Sequence, residues 1–363
     1  MADQDATLFN EALRFDRSRL RVKAPLRIAV VSVILVGLCI LTGHSAEAIP
    51  LAIGAVFVGI ADIGEIPGQR WRTMLWATAS LALATQLGGI FSDRTIWAFL
   101  ATLVVAAMCG FAGAISARAG LVGVLTLVAF CAFAGAPVGM RTDEINTLLV
   151  ALGGVIITAV TVLPTLLTRP AGLGTAASDA TSGPRQLWQR VRERAVPSNR
   201  YFWHAIRLPV AIGIATVIAW SVPVMHSYWI PVTVAWVTLP DSHLTNVKLV
   251  ARIAGTIVGA VATAILLVPW MHQPLVAALV VGVGVFLTAA FLFAFYAVAV
   301  AGITMVILGL FSIVGDPVGE NIIVRITATI IAAGIVALVT FSWSKAEQRR
   351  HVHVAPWHRP GHV

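Results

Sequence analysis

Charge is scarce in this sequence. Asp, Glu, Lys and Arg make up 11% of its 363 residues, where a soluble domain needs about 25% to cover its surface. An ordinary soluble globule is thereby excluded. Cysteine is scarce as well: Cys39, Cys109 and Cys131 lie inside apolar runs without CxxC spacing, so neither a disulfide framework nor a metal knuckle is expected. No GxxxxGK[ST] phosphate loop, no HExxH and no GxSxG occurs. These absences argue against direct use of ATP and against an intramembrane enzyme, and no cofactor or metal is expected. The stretch Gly172-Leu173-Gly174-Thr175-Ala176-Ala177 formally fits a dinucleotide fingerprint, but no strand pattern precedes it and no helix pattern follows.

What the sequence has in abundance is apolar residue, 58% of the chain. Runs long enough to span a bilayer recur from residue 26 to residue 342, which identifies an all-α polytopic membrane protein embedded in lipid. The net charge of +9 falls between the apolar segments rather than on one basic face, so a nucleic-acid partner is not expected. Twelve segments emerge: 26–43, 48–61, 73–91, 96–116, 120–138 and 146–168, then 204–222, 228–240, 249–269, 274–295, 297–314 and 322–342. The basic start and Ala46-Glu47-Ala48 imitate a cleavable signal peptide, but the unit recurs later, so a retained span is expected. With both termini in the cytoplasm, every Lys and Arg except Arg94, Arg141 and Arg325 falls on the cytoplasmic side, as the positive-inside rule requires of an inner-membrane protein.

The domain plan follows. Residues 1–23 form a cytoplasmic amphipathic segment, 24–168 a first six-helix repeat, 169–200 a linker, 201–343 a second six-helix repeat and 344–363 a His-rich tail. In the linker, Leu187, Trp188 and Val191 among arginines suit a basic amphipathic helix on the membrane surface. The tail histidines His351, His353, His358 and His362 have no spacing of a closed metal site.

The halves superpose at an offset of about 180 residues. Arg27 falls on Arg207, His44 near His226, Pro50 on Pro231, Asp62 near Asp241 and Arg72 on Arg252. An even number of spans per half gives two parallel repeats about a pseudo-twofold axis along the membrane normal, with a central pathway between them. The second segment of each half is short. At 1.5 Å per residue, roughly fourteen residues reach about 21 Å, against a hydrocarbon core of about 30 Å. Short, proline-bearing segments at matching positions point to a substrate site. Pro50 and Pro231 suit first helical turns, whose free N–H groups favour an anion.

These residues also resemble a known family. Tyr228-Trp229, Thr233, Pro240, and Arg252 with Gly255-Thr256 and Gly259 resemble the fusaric-acid-resistance-like proteins. That family includes bacterial aromatic acid exporters and is related to the aluminium-activated malate transporters. The likeness covers residues 201–270 and more weakly 20–90, where the Tyr-Trp and Gly-Thr pairs are missing. Larger bacterial members carry a bulky cytoplasmic domain where this chain has a short linker. The malate channels pair two six-span units, so one chain here supplies both halves, and the family tendency leaves a homodimer open. The resemblance implies export or passive permeation of organic anions.

Two readings stand for each candidate. Arg72 and Arg252 are membrane anchors or an inner-mouth ring for carboxylates; Arg27 and Arg207 are weaker pathway candidates, and the basic cluster from Arg14 to Lys23 favours anchoring for Arg27. Asp62 and Asp241 are helix-end acids paired with nearby arginines, or proton carriers. His44 and His226 are interfacial residues or proton sensors. Asp316 and Glu320 read as solvated loop acids, and the Gly255-to-Gly259 spacing predicts close packing of the ninth segment on a neighbour. The function expected is transport of small organic anions, aromatic or aliphatic carboxylates, outward and driven by a proton or electrochemical gradient. A passive anion channel and a non-transporting membrane scaffold are the alternatives.

Overall fold

The computed structural model describes residues 10–62, 70–136, 140–167, 189, 191–197, 199–270 and 273–349, and among them every regular element is helical. In chain order these are α1 (Lys23–Leu41), α2 (Ala48–Ala61), α3 (Arg70–Ile90), α4 (Ile96–Ala112), α5 (Ala117–Gly135) and α6 (Met140–Leu167). Then follow α7 (Arg200–Ser221), α8 (Trp229–Val237), α9 (Ser242–Leu267), α10 (Pro274–Phe291), α11 (Tyr296–Ile313) and α12 (Val318–Arg349). Most of the linker with Leu187 and Trp188, the Gly172–Ala177 stretch, the Arg141 side chain and the histidine tail lie outside the described residues.

The helices fall near the expected segments, but they are not twelve equal spans. Eight are long and apolar enough to cross a membrane: α1, α5, α6, α7, α9, α10, α11 and α12. Polar Thr, Ser and Gln side chains and two leading arginines keep α3 below that hydropathy, and α2 and α4 are shorter apolar helices. α8 has only nine residues, a reach of about 13 Å, so it ends well inside the thickness of a bilayer.

Each long helix divides its apolar residues between lipid and protein. On α1, Leu26, Val30, Ile34 and Leu38 form an exposed stripe at helical spacing, while Ile28, Val31, Leu35 and Val36 are buried. An outward apolar stripe on a helix of this length is a lipid face. The inner faces meet in reciprocal pairs: α2 packs on α6 and α8 on α12, α3 on α5 and α9 on α11, while α4 packs on α7 and α10 on α1. Glycines set the closest approaches. A Cβ at Gly255 or Gly259 would collide with the carbonyls of Ala297 and Ala301 on α11, so the predicted close neighbour of α9 is α11. Gly54 and Gly153 do the same between α2 and α6, each facing backbone of the other helix.

The N-terminal segment docks on the second half. Ala12 is buried against Ala251 and Ala297, the Asp16 N–H donates to the Ala294 carbonyl at 2.8 Å, and the Phe15 ring lies 6.2 Å from that of Phe291.

Candidate functional site

The site grows from the two short helices. Pro50 and Pro231 each stand third in their helix, inside the first turn, where a missing N–H costs no hydrogen bond. α8 stops because Pro240 forces Leu239 out of helical geometry; Thr238 and Asp241 are extended. That irregular backbone is not left unsatisfied. The Arg207 guanidinium donates to the Leu239 carbonyl and to Ser242 Oγ, and Thr245 Oγ1 accepts from the Leu239 N–H at 3.1 Å. Broken backbone at membrane depth survives only when buried protein groups satisfy it. Arg207 is therefore a brace. Arg27 braces the matching end of α2 by donating to Asp62 at 3.4 Å.

A cavity of about 300 Å³ opens between α2, α5, α6, α8 and α11. Its lining is apolar and aromatic, with Phe57, Phe133, Tyr228, Trp229, Trp236 and Phe311 turned into it and Pro50 at its edge. Two further cavities flank it. One of about 200 Å³ includes Arg94, Tyr228 and Pro231; the other, of about 270 Å³, includes His204, Trp236, Pro240 and Lys248. Tyr228 is shared by the first and the central cavity, and Trp236 by the central cavity and the last. The two ends of α8 thus carry the partitions between three separate spaces.

The expected pairs of site residues are placed unequally. Arg72 is exposed, with its guanidinium 5.3 Å from the Trp71 ring, whereas Arg252 is 2% exposed. Asp62 is buried and takes two hydrogen bonds from Arg70, at 2.7 and 2.5 Å, besides the one from Arg27. Asp241 pairs with no arginine among the described residues; it caps α9 by accepting the Leu244 N–H at 2.9 Å. His44 is exposed and meets the Thr42 carbonyl at 2.9 Å.

His226 occupies a left-handed conformation, φ 60°, in the turn before α8. Its ring stacks on Trp229 at 4.8 Å and its Nε2 lies 3.0 Å from Asp316. Burial pulls its pKa below the ordinary histidine value, and Asp316 only partly restores it. Asp316, expected to be merely solvated, is thus the partner of His226; Glu320 is exposed.

Arg325 is the main correction to the sequence reading. Counted there on the outer side with Arg94 and Arg141, near the start of the segment 322–342, it is 0% exposed, on α12, with its guanidinium 5.5 Å from the centre of the Trp229 ring. Trp236, Asn321 and Tyr296 were missed as well. The available signal was the failure of Arg325 to obey the positive-inside pattern: an arginine five residues beyond Glu320, in an otherwise apolar helix, is not an interfacial anchor. Trp236 gave no such signal, because one aromatic in an apolar run looks like any other core residue.

Residues 214–339, from within α7 to near the end of α12, match the family model of fusaric acid resistance protein-like sequences. The chain is similar to Inner membrane protein YccS of Escherichia coli (strain K12), with 31% identity over 170 residues, which is 46% of this chain and 23% of YccS. It is also similar to Uncharacterized protein ORF2 of Neisseria gonorrhoeae, with 29% identity over 168 residues, 45% of this chain and 39% of that protein. The match thus spans about a quarter of the first relative's length and two fifths of the second's. No solved structure matches.

Proposed function

From a membrane chain whose residues 214–339 match the fusaric acid resistance protein-like family model, we propose an exporter of small organic anions, with aromatic or aliphatic carboxylates as substrates. The reading rests on the aromatic cavity of about 300 Å³ between the two short helices. Binding sites for small organic molecules are concave, mostly apolar and of this order of size, and stacked aromatics suit a single-ring acid. The reciprocal packing of α4 on α7 and α10 on α1 supports two related halves around that cavity. A scaffold would fill its axis with side chains.

The partitions favour a gated transporter over an open pore. Tyr228 and Trp236 separate the central space from the cavities on either side, so passage requires these rings to move in turn. A negative-inside potential or a proton gradient supplies the drive, with His226 and Asp316 the titratable pair beside the cavity. The name of the similar E. coli protein supports placement in the inner membrane. The distribution of Lys and Arg supports cytoplasmic termini, and a homodimer is compatible with two complete halves in each chain.

The test fills the cavity without touching charge. Ala132 lines it from α5, and Ala132→Phe places a ring there. In proteoliposomes given a benzoate or malate concentration jump, the carboxylate-dependent flux of the variant falls about tenfold. Equal flux in the variant and the wild type overturns the central cavity as the path.

A further inference from the structure

Three helices of the second half each carry two polar or aromatic residues one turn apart, and all six are buried. They are Trp229 and Thr233 on α8, Arg252 and Thr256 on α9, and Asn321 and Arg325 on α12, none more than 2% exposed. α12 packs against both α8 and α9. The Arg325 guanidinium lies over the Trp229 ring and is near enough to Arg252 for the two charges to repel.

This cluster is rich in donors without acceptors. Nε, Nη1 and Nη2 of Arg325, Nε and Nη2 of Arg252, Nδ2 of Asn321 and the hydroxyls of Thr233 and Thr256 have no hydrogen-bond partner among the described residues. The threonines differ from their neighbours, since Thr245 and Thr263 on α9 both donate to carbonyls four residues back. No carboxylate pairs with either arginine among the described residues; the acids nearest in role are already engaged, Asp62 by Arg27 and Arg70 and Asp316 by His226. A guanidinium does not deprotonate in a protein. Arg252 has the neutral Tyr296 hydroxyl beside it, but two such charges buried within range of each other with no negative partner still cost several kcal/mol each, and a charge at membrane depth is costlier still unless it is paired.

We infer that Arg252 and Arg325, with Thr233, Thr256 and Asn321, bind a halide ion in a site separate from the aromatic cavity. The donor inventory sets the charge of the ligand and the space sets its size. Beside Arg252 and Tyr296 the cleft is only about 10 Å³, room for about one water-sized group. Trp236 and Ile303 line both that cleft and the central cavity, and Trp229 stands between the cavity and Arg325. The two tryptophans of α8, seven residues and two turns apart, thus screen the two arginines from the cavity. The donors are fully buried inside the protein, which excludes a lipid headgroup. The site stands whether or not the central cavity carries flux.

The test is anion binding by the full-length protein, purified throughout in gluconate, an anion too bulky for the cleft. Replacing gluconate by chloride at constant ionic strength raises the thermal unfolding midpoint with saturation. Arg325→Gln and Arg252→Gln lose that response, while Arg72→Gln keeps it. Thr256→Val raises the half-saturating concentration by about tenfold. Because the arginine variants are at risk of not folding, Asn321→Asp gives an independent answer. A carboxylate one turn from Arg325 supplies the missing charge from within, so this variant is as stable in gluconate as the wild type is in saturating chloride, and it no longer responds to anions. A wild type whose stability ignores the anion overturns the proposal. So does an Asn321→Asp variant that is destabilised and still responds.

Discussion

The two halves of this molecule share their landmarks and differ in their charge balance. In the first, Asp62 at the end of the short helix α2 holds Arg27 and Arg70, and Arg72 reaches solvent. In the second, Asp241 is spent on capping α9, and Arg252 and Arg325 are buried with no carboxylate partner among the described residues. The packing differs in the same sense. Gly54 and Gly153 bring α2 and α6 into backbone contact, whereas between the corresponding α8 and α12 a tryptophan ring lies under a guanidinium. One half is closed and neutralised. The other keeps a cationic, donor-rich space beside the central cavity, which is where an anion-handling protein would concentrate its function.

That contrast can be broken most severely at the glycines. Gly54→Leu drives a side chain into the Val150 backbone, which side-chain movement cannot relieve, so a loss of more than about 3 kcal/mol is expected. Val234→Leu, at the corresponding place on α8, adds one methylene at a buried position and costs about 1–2 kcal/mol. Thermal unfolding of the two variants in detergent measures the difference, and equal losses would mean that the halves pack alike.

A smaller effect is expected at the aspartates. Asp62→Asn removes the acceptor of two arginines and costs about 2 kcal/mol, less than a fully buried pair because both arginines keep some solvent exposure. Asp241→Ala removes a helix cap, worth about 1 kcal/mol. Unfolding midpoints in the opposite order would show that Asp241 has a charge partner in solution.

The smallest effect is a titration. Folding depresses the pKa of His226, chiefly by burial, so the folded state favours the neutral ring. The stability this residue contributes is complete above its ordinary pKa of about 6.5 and declines as pH falls below it. Protonated imidazole stacked on indole quenches emission, so Trp229 fluorescence falls on acidification with a midpoint below about 6.5. His226→Gln abolishes that component, and Asp316→Asn moves its midpoint lower. A midpoint above 6.5 would show that the Asp316 pair outweighs burial.

How much of this was legible in the sequence depended on the range of the interaction concerned. The short helices, their first-turn prolines and the close approach at Gly255 and Gly259 are written in windows of a few residues. Such features need only local backbone rules and hydropathy, and they were read close to where they lie. Asp62 and Asp241 look alike in sequence, both acids at the end of a short apolar segment, yet one meets two guanidiniums and the other a helix N-terminus. The readings of Arg72 and Arg252 as a matched pair and of Arg207 as a pathway residue had the same weakness. Each depends on what stands across the helix interface, and no local window contains that.

The sequence by itself determined that this chain is helical and apolar enough for a membrane, that its halves share an order of landmarks, and that their second helices are too short to span. Periodicity, proline geometry and the cost of placing charge in lipid are enough for that. Only the tertiary structure decided which charges are neutralised, where the aromatic cavity lies, and that Arg325 stands buried beside Arg252. Burial and pairing arise when helices distant in the chain meet, and the free energy of a charge is set by the neighbours that meeting provides.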